Sequence, residues 1–240
     1  MADENNAADG DIFVARALLR AGRRWREPEY LAASARLRGA VADRLAVEIG
    51  GRTVLLPGEE GFRGAGGVTT NPSYFVLPAL QDFAEADGGG APWRSLIASG
   101  LILARDGRFG SHNLPPDWLL VGVDGQIFPA PDKPPLFEFE AIRVPLYIVW
   151  GGEDALAASE KTFWRQALLA GKRPPAWVNL SSGQVAEFTI SSGGAAIAAL
   201  ALNDTKVRTV AGATPDHAYY ASALTLLADL AARETEERRP

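Results

Sequence analysis

An all-α fold with short β-hairpins carried in its loops is what this 240-residue sequence predicts. Segments whose apolar residues recur every three or four positions dominate the chain. The connections between them are long and rich in glycine and proline. β-Favouring residues gather in only three short runs, folded about the pairs Gly50-Gly51, Asp124-Gly125 and Ser182-Gly183. No block of sequence is repeated, and periodicity alone does not distinguish one helical array from another.

The first helix opens with Asp9 and Asp11 on either side of Gly10. Small and apolar residues from Ile12 to Ala21 then occupy almost every face, so the helix is expected to be buried all round. Acids at such an entrance favour the positive helix end and cap its free N–H groups. They also bring a carboxylate to the end of a core element, and the residues alone leave both readings open. Pro28 suits the first turn of a second helix, along which Tyr30, Ala33, Leu37, Val41 and Leu45 form an apolar face. Residues 47–56 read as a hairpin, 58–70 as a Gly-rich surface loop, and 72–86 and 93–104 as helices. A loop over 106–116 leads to a hairpin at 119–128. Helices follow at 138–151, 155–170, 192–202 and 217–236, with a hairpin at 177–188. Residues 233–240 read as a charged, frayed tail.

Composition narrows the function. Hydrophobic residues make up 47% and charged residues 22%, the balance of a globular protein. With a net charge of −5 and no basic stripe, nucleic acid is not an expected partner. The longest apolar run, residues 195–202, falls far short of a membrane span. The absence of cysteine excludes disulfides and thiolate chemistry. The acidic, polar N-terminus does not read as a secretory signal peptide. His112 and His217 lack metal-ligand spacing, and neither a metal nor a cofactor is expected. Ser191-Ser192-Gly193-Gly194 is not a G-x-S-x-G elbow, and no Lys-Ser/Thr follows Gly64-Ala65-Gly66-Gly67 as a phosphate loop requires.

A run of motifs carries a resemblance. Ala7-Ala8-Asp9-Gly10-Asp11-Ile12-Phe13-Val14-Ala15-Arg16-Ala17-Leu18-Leu19-Arg20-Ala21, closing at Trp25, resembles the signature of glycoside hydrolase family 8, the bacterial cellulases. Ala8 stands where the pattern usually has Ser or Thr, and Val14 where it has Ile or Met. Further matches follow in order: Leu55-Leu56-Pro57-Gly58 with Gly61-Phe62, Asn71-Pro72-Ser73-Tyr74-Phe75, Ala91-Pro92-Trp93 and Pro116-Asp117-Trp118. Glu140-Ala141-Ile142-Arg143-Val144-Pro145-Leu146-Tyr147 and Ala218-Tyr219-Tyr220 with Leu224-Thr225-Leu226 complete the series. The resemblance implies an incomplete (α/α)6 barrel, an inner ring of helices lining a cleft. It implies one catalytic domain over 1–232, lacking its N-terminal helices, and a tail over 233–240.

It also implies inverting hydrolysis, which needs a general acid, a general base and room for a water. The base position of the family's Tyr-Asp-Ala-x-Arg element falls on Glu140 within Phe139-Glu140-Ala141-Ile142-Arg143, with Glu for Asp and Phe for Tyr. Arg143, one turn on, is placed to bond that carboxylate or a sugar; a structural salt bridge is the competing reading. Glutamate keeps the functional group, but its extra methylene shifts the carboxylate by roughly 1.5 Å. A displacement of about 1 Å can cost on the order of 10²-fold in rate. Asp9 matches the family's aspartate that holds sugar at the cleavage subsite, and Asp11 reads as structural. Tyr74, Trp118, Tyr219 and Tyr220 are candidate stacking platforms, against a competing role in core packing. Asn71 either bonds sugar or fixes the loop before Pro72. Trp25 is expected in the core.

The family's general acid lies in a Ser-Glu-Gly-x-x-Tyr-Gly-Met type segment upstream of Asp-Gly-Asp, and no such segment occurs here. Three accounts compete: a fragment of a longer product, a repurposed homologue, or a substitute acid such as Glu4. The implied function is endo-hydrolysis of β-1,4-glucan with inversion, impaired if the acid is absent. The alternatives are a non-catalytic glucan-binding accessory of the cellulose synthase machinery, or a related chitosanase, xylanase or licheninase. The family implies a periplasmic or secreted location.

Overall fold

The computed structural model describes residues 5–90, 92–207 and 219–238. Among them are eight α-helices and eight short strands, a mostly helical fold with small antiparallel sheets. The chain divides into two compact units, Met1–Gly107 with Trp118–Asp132, and Arg108–Asp117 with Lys133–Pro240.

In the first unit, helix α1 (Ala8–Trp25) packs on α2 (Pro28–Arg44). The expectation that α1 is buried all round is corrected. Ala8, Ile12, Ala15, Leu19 and Gly22 form its buried stripe, while Val14 is exposed. Arg16 joins the buried stripe because its Nε donates to Asp82 at 2.7 Å, which satisfies a charge that would otherwise be costly to bury. The buried face of α2 is also shifted: Ser34 and Arg38 lie inside with Val41, and Tyr30 is exposed. Ser34 donates to the Ala15 carbonyl at 2.6 Å, and Arg38 forms an ion pair with Asp87 at 2.7 Å. Trp25, expected in the core, is 68% exposed and meets Tyr30 edge-on at 6.4 Å.

Strands β1 (Ala46–Ile49) and β2 (Arg52–Leu55) form the expected hairpin. Gly50 and Gly51 turn it with φ of 54° and 74°, the left-handed pair a tight hairpin needs. The loop reading of residues 58–70 is corrected. β3 (Arg63–Gly64) and β4 (Gly67–Thr70) lie in a four-stranded antiparallel sheet of order β3-β4-β5-β6, with β5 (Leu119–Gly122) and β6 (Ile127–Pro129). Val68 pairs with Val121, so distant β-branched residues make the strand. The helix expected from Pro72 starts as a 3₁₀ turn, Pro72–Tyr74, and becomes α3 only at Leu77–Ala86. Pro78, which has no N–H to donate, fits the first turn of α3 and not a helix interior. Helix α4 (Trp93–Asp106) completes this unit.

The second unit opens with β7 (Leu136–Phe137), which pairs with β8 (Val178–Asn179). A 3₁₀ turn, Ala141–Arg143, leads into α5 (Val144–Trp150), every residue of which is buried. Pro145 sits in the first turn of α5, and this is why the expected single helix is broken there. A 3₁₀ turn, Asp154–Ala157, leads into α6 (Ala158–Leu169), followed by the bridged hairpin around Gly183, α7 (Ser192–Leu202) and α8 (Tyr219–Glu237). The stretch from Arg233 is helical as far as Glu237 and not frayed. Glu234 accepts from Trp150 Nε1 at 2.7 Å, and Arg238 donates to the Trp150 carbonyl, so two side chains anchor the helix end to α5.

Candidate active site

Residues with the chemistry for a glycan site gather separately in each unit. In the first unit, Asp9 lies in the opening turn of α1. Neither acid caps that helix from the cap position, which is Ala7. Asp9 Oδ1 instead accepts the Gly10 N–H at 2.8 Å, and Asp11 accepts from Asn6 Nδ2 at 2.7 Å. Trp118 lies parallel to Phe62, with ring centroids 6.0 Å apart and planes 8° apart. Tyr74 approaches the same indole at 6.4 Å. All three rings are half-buried, so the two nominated aromatics belong to one three-ring cluster with Phe62.

Asn71 is fully buried at 0% exposure. Its Oδ1 accepts from Ser73 N at 3.0 Å and Ser73 Oγ at 2.7 Å, and so caps the 3₁₀ turn. Of its two expected roles, this geometry matches fixing the loop.

In the second unit, Glu140 lies immediately before the 3₁₀ turn that leads into α5. Arg143 Nη2 donates to Glu140 Oε2, an i,i+3 ion pair in which the guanidinium is buried and the carboxylate half-buried. The Tyr220 hydroxyl donates to the Phe139 carbonyl, and its ring meets Phe139 edge-on at 6.3 Å. Burial pushes the Tyr220 phenol well up, outweighing the Arg143 charge that pulls it down, so it stays protonated and a donor. Tyr219 is 89% exposed and Phe139 56% exposed, both open to a ligand. A cavity of about 260 Å³ is lined by Glu138, Phe139, Ile142, Phe188, Ser191 and Tyr220, among others, and so by residues that flank Glu140 in sequence.

Asp117 and Glu138 were not nominated from sequence. Asp117 is only 8% exposed, and its Oδ1 accepts the N–H groups of Glu138 at 3.0 Å and Ala141 at 2.8 Å. Burial pushes its carboxyl up to about 6; the two N–H bonds pull the other way, and the charges of Glu140 and Glu138 add to the rise. Burial also raises Glu138. Pro116-Asp117-Trp118 was visible as a motif, but its partners 21 and 24 residues away were not. His112 lies edge-on to Phe163 at 4.9 Å, a packing role. Glu4 and His217 lie outside the described residues.

The comparisons agree with one another. A family model described as "Glycosyl hydrolases family 8" matches residues 1–234. The chain is 37% identical over 204 residues to an endoglucanase of Cellulomonas uda, covering 85% of this chain and 56% of that protein. It is 37% identical over 239 residues to a probable endoglucanase of Novacetimonas hansenii, covering 97% and 68%. The chain therefore spans little more than half the length of the first of these relatives. Among solved structures, the family 8 endoglucanase of Klebsiella pneumoniae superposes with a TM-score of 0.87 at 35% identity, covering 97% of this chain and 74% of that one. The endo-β-1,4-glucanase CMCax of Acetobacter xylinum gives 0.87 at 35%, covering 98% and 73%. These likenesses carry the (α/α)6 fold class to the part of it that this chain covers.

Proposed function

Because the chain belongs to glycosyl hydrolase family 8, we propose that it cuts β-1,4-glucan internally, with inversion, and that residues 1–232 form the catalytic domain. Glu140 is the general base: its carboxylate removes a proton from the water that attacks the anomeric carbon as the glycosidic bond breaks. Arg143 holds that carboxylate in place. Asp9 binds sugar, and Trp118 with Tyr74, and Tyr219 with Tyr220, offer flat surfaces on which the C–H faces of glucose pack. A periplasmic or secreted location suits a polymeric substrate. The observation that carries the proposal is the half-buried Glu140 carboxylate, paired with Arg143, in a segment whose residues Glu138, Phe139 and Ile142 line a cavity with exposed aromatic rings.

A second reading is glucan binding without cleavage, as an accessory to cellulose synthesis, for which the exposed rings of Phe139 and Tyr219 would serve as binding surfaces. Reducing-sugar release from carboxymethyl-cellulose, set beside binding of cello-oligosaccharides, separates the two. Release that disappears in Glu140→Ala supports hydrolysis. Binding with no release by either protein supports the accessory reading.

A further inference from the structure

We propose that Asp117 is a positioning residue for Glu140, a remote cap that fixes the short turn from which the base projects. The inference rests on the role proposed for Glu140. The first N–H groups of a helical turn have no partner within the turn and need one from outside. Here the turn is short: Ile142 N donates to the Glu138 carbonyl at 3.1 Å, and Arg143 N to the Glu140 carbonyl at 3.0 Å. The side chain of the cap residue, Glu140, does not cap it. Asp117, 21 and 24 residues earlier, supplies the missing acceptor with a single oxygen bonded to Glu138 N at 3.0 Å and Ala141 N at 2.8 Å. These two amides bracket Glu140 from three residues apart, so the bifurcated bond ties down both sides of the base.

Asp117 is itself anchored, because its own N–H donates to the Leu136 carbonyl at 2.7 Å. Leu136 lies in β7, which pairs with β8, so the cap is fixed to a sheet and not to a free loop. From the carbonyl side of the turn, the Tyr220 hydroxyl grips Phe139. The turn is thus held by a carboxylate at its N–H groups and by a phenol at a carbonyl, leaving the Glu140 side chain to meet Arg143. Such a double anchor suits a group whose displacement by about 1 Å would cost on the order of 10²-fold in rate.

The test uses the whole chain with Asp117→Ala and Asp117→Asn, and two readouts. The first is exchange of the Glu138 and Ala141 amides followed by NMR. The second is kcat and KM on a β-cellotriosyl fluoride, whose leaving group needs no general acid. Asparagine retains an oxygen that can accept both N–H bonds, whereas alanine has none. In Asp117→Ala the two amides should lose protection while those of α7 keep theirs, and kcat should fall by roughly tenfold or more with KM little changed. Asp117→Asn should restore both the protection and most of kcat. Unaltered exchange at the two amides in Asp117→Ala overturns the cap. Equal losses of kcat in both variants overturn it as well, since they would make the charge and not the acceptor essential. A parallel change in kcat and in α7 protection would show general destabilisation and also overturn it. If the unsubstituted chain releases no fluoride, the role proposed for Glu140 fails, while amide exchange still decides whether Asp117 holds the turn.

Discussion

At the residue scale, two carboxyl groups in the second unit have opposite surroundings. Glu140 is half-buried against a guanidinium. Asp117 is buried with its oxygen on two amides and carries a carboxyl raised to about 6. On the role proposed for Glu140, shortening it to aspartate removes the methylene that the resemblance implies is extra and draws the carboxylate back by roughly 1.5 Å. Glu140→Asp should therefore raise turnover by roughly tenfold or more, read as kcat on a soluble cello-oligosaccharide. For Asp117 the linkage has a definite sign. Its folded value lies above the ordinary carboxylate value, so the native state binds more protons than the unfolded state between about pH 4 and pH 6. The contribution of this group to stability is complete below pH 4 and is lost as pH rises through 6, by up to about 3 kcal/mol. Asp117→Asn removes that dependence. Its stability relative to the parent, measured by urea denaturation, should improve steadily from pH 4 to pH 6.5 and change little outside that window.

At the scale of elements, α7 and α8 depend on the absence of side chains. α7 is built from Gly193, Gly194 and a series of alanines. A Cβ on Gly193 would lie 2.7 Å from both the Ala221 carbonyl oxygen and the Leu224 Cβ of α8. An alanine in place of a helical glycine ordinarily stabilises by roughly 0.5–1 kcal/mol. Here overpacking should outweigh that gain, and Gly193→Ala should destabilise by about 1–3 kcal/mol in urea unfolding. Gly39 of α2 has open space around the same position, so Gly39→Ala should be neutral or mildly stabilising and serves as the control. Trp150→Phe deletes the donor to Glu234 and should loosen the last turn of α8, seen as faster amide exchange from Ala231 to Glu237 with the start of the helix unchanged.

How legible these elements were in the sequence follows from where their partners lie. The β1–β2 and β5–β6 hairpins were readable because Gly50-Gly51 and Asp124-Gly125 sit between the paired strands. The bounds of α7 were readable because Ser191 caps it and Asn203 closes it in a left-handed conformation. β3 and β4 were not, because a glycine-rich stretch becomes strand only through pairing with β5, some 50 residues on. The burial of Arg16 was hidden for the same reason, since Asp82 is 66 residues away. At the site, Glu140 with Arg143 was legible as an i,i+3 pair. Asp117, whose action runs through backbone amides, leaves no pattern of side-chain types at short range.

At the scale of the whole molecule, the central claim is that this member of family 8 uses Glu140 to activate water at a glucan's anomeric carbon. No helix among the described residues is long and apolar enough to cross a membrane, and no cluster of three or more His, Asp or Glu among them is placed to hold a metal. The most direct measurement is hydrolysis of β-cellotriosyl fluoride, with fluoride release followed by electrode and the anomer of the first-formed sugar by NMR. Fluoride leaves without protonation, so the experiment isolates the base from any general acid. The expected result is release with initial formation of the α-anomer, abolished in Glu140→Ala. Release that persists unchanged in Glu140→Ala, or a β-anomer formed first, would contradict the claim.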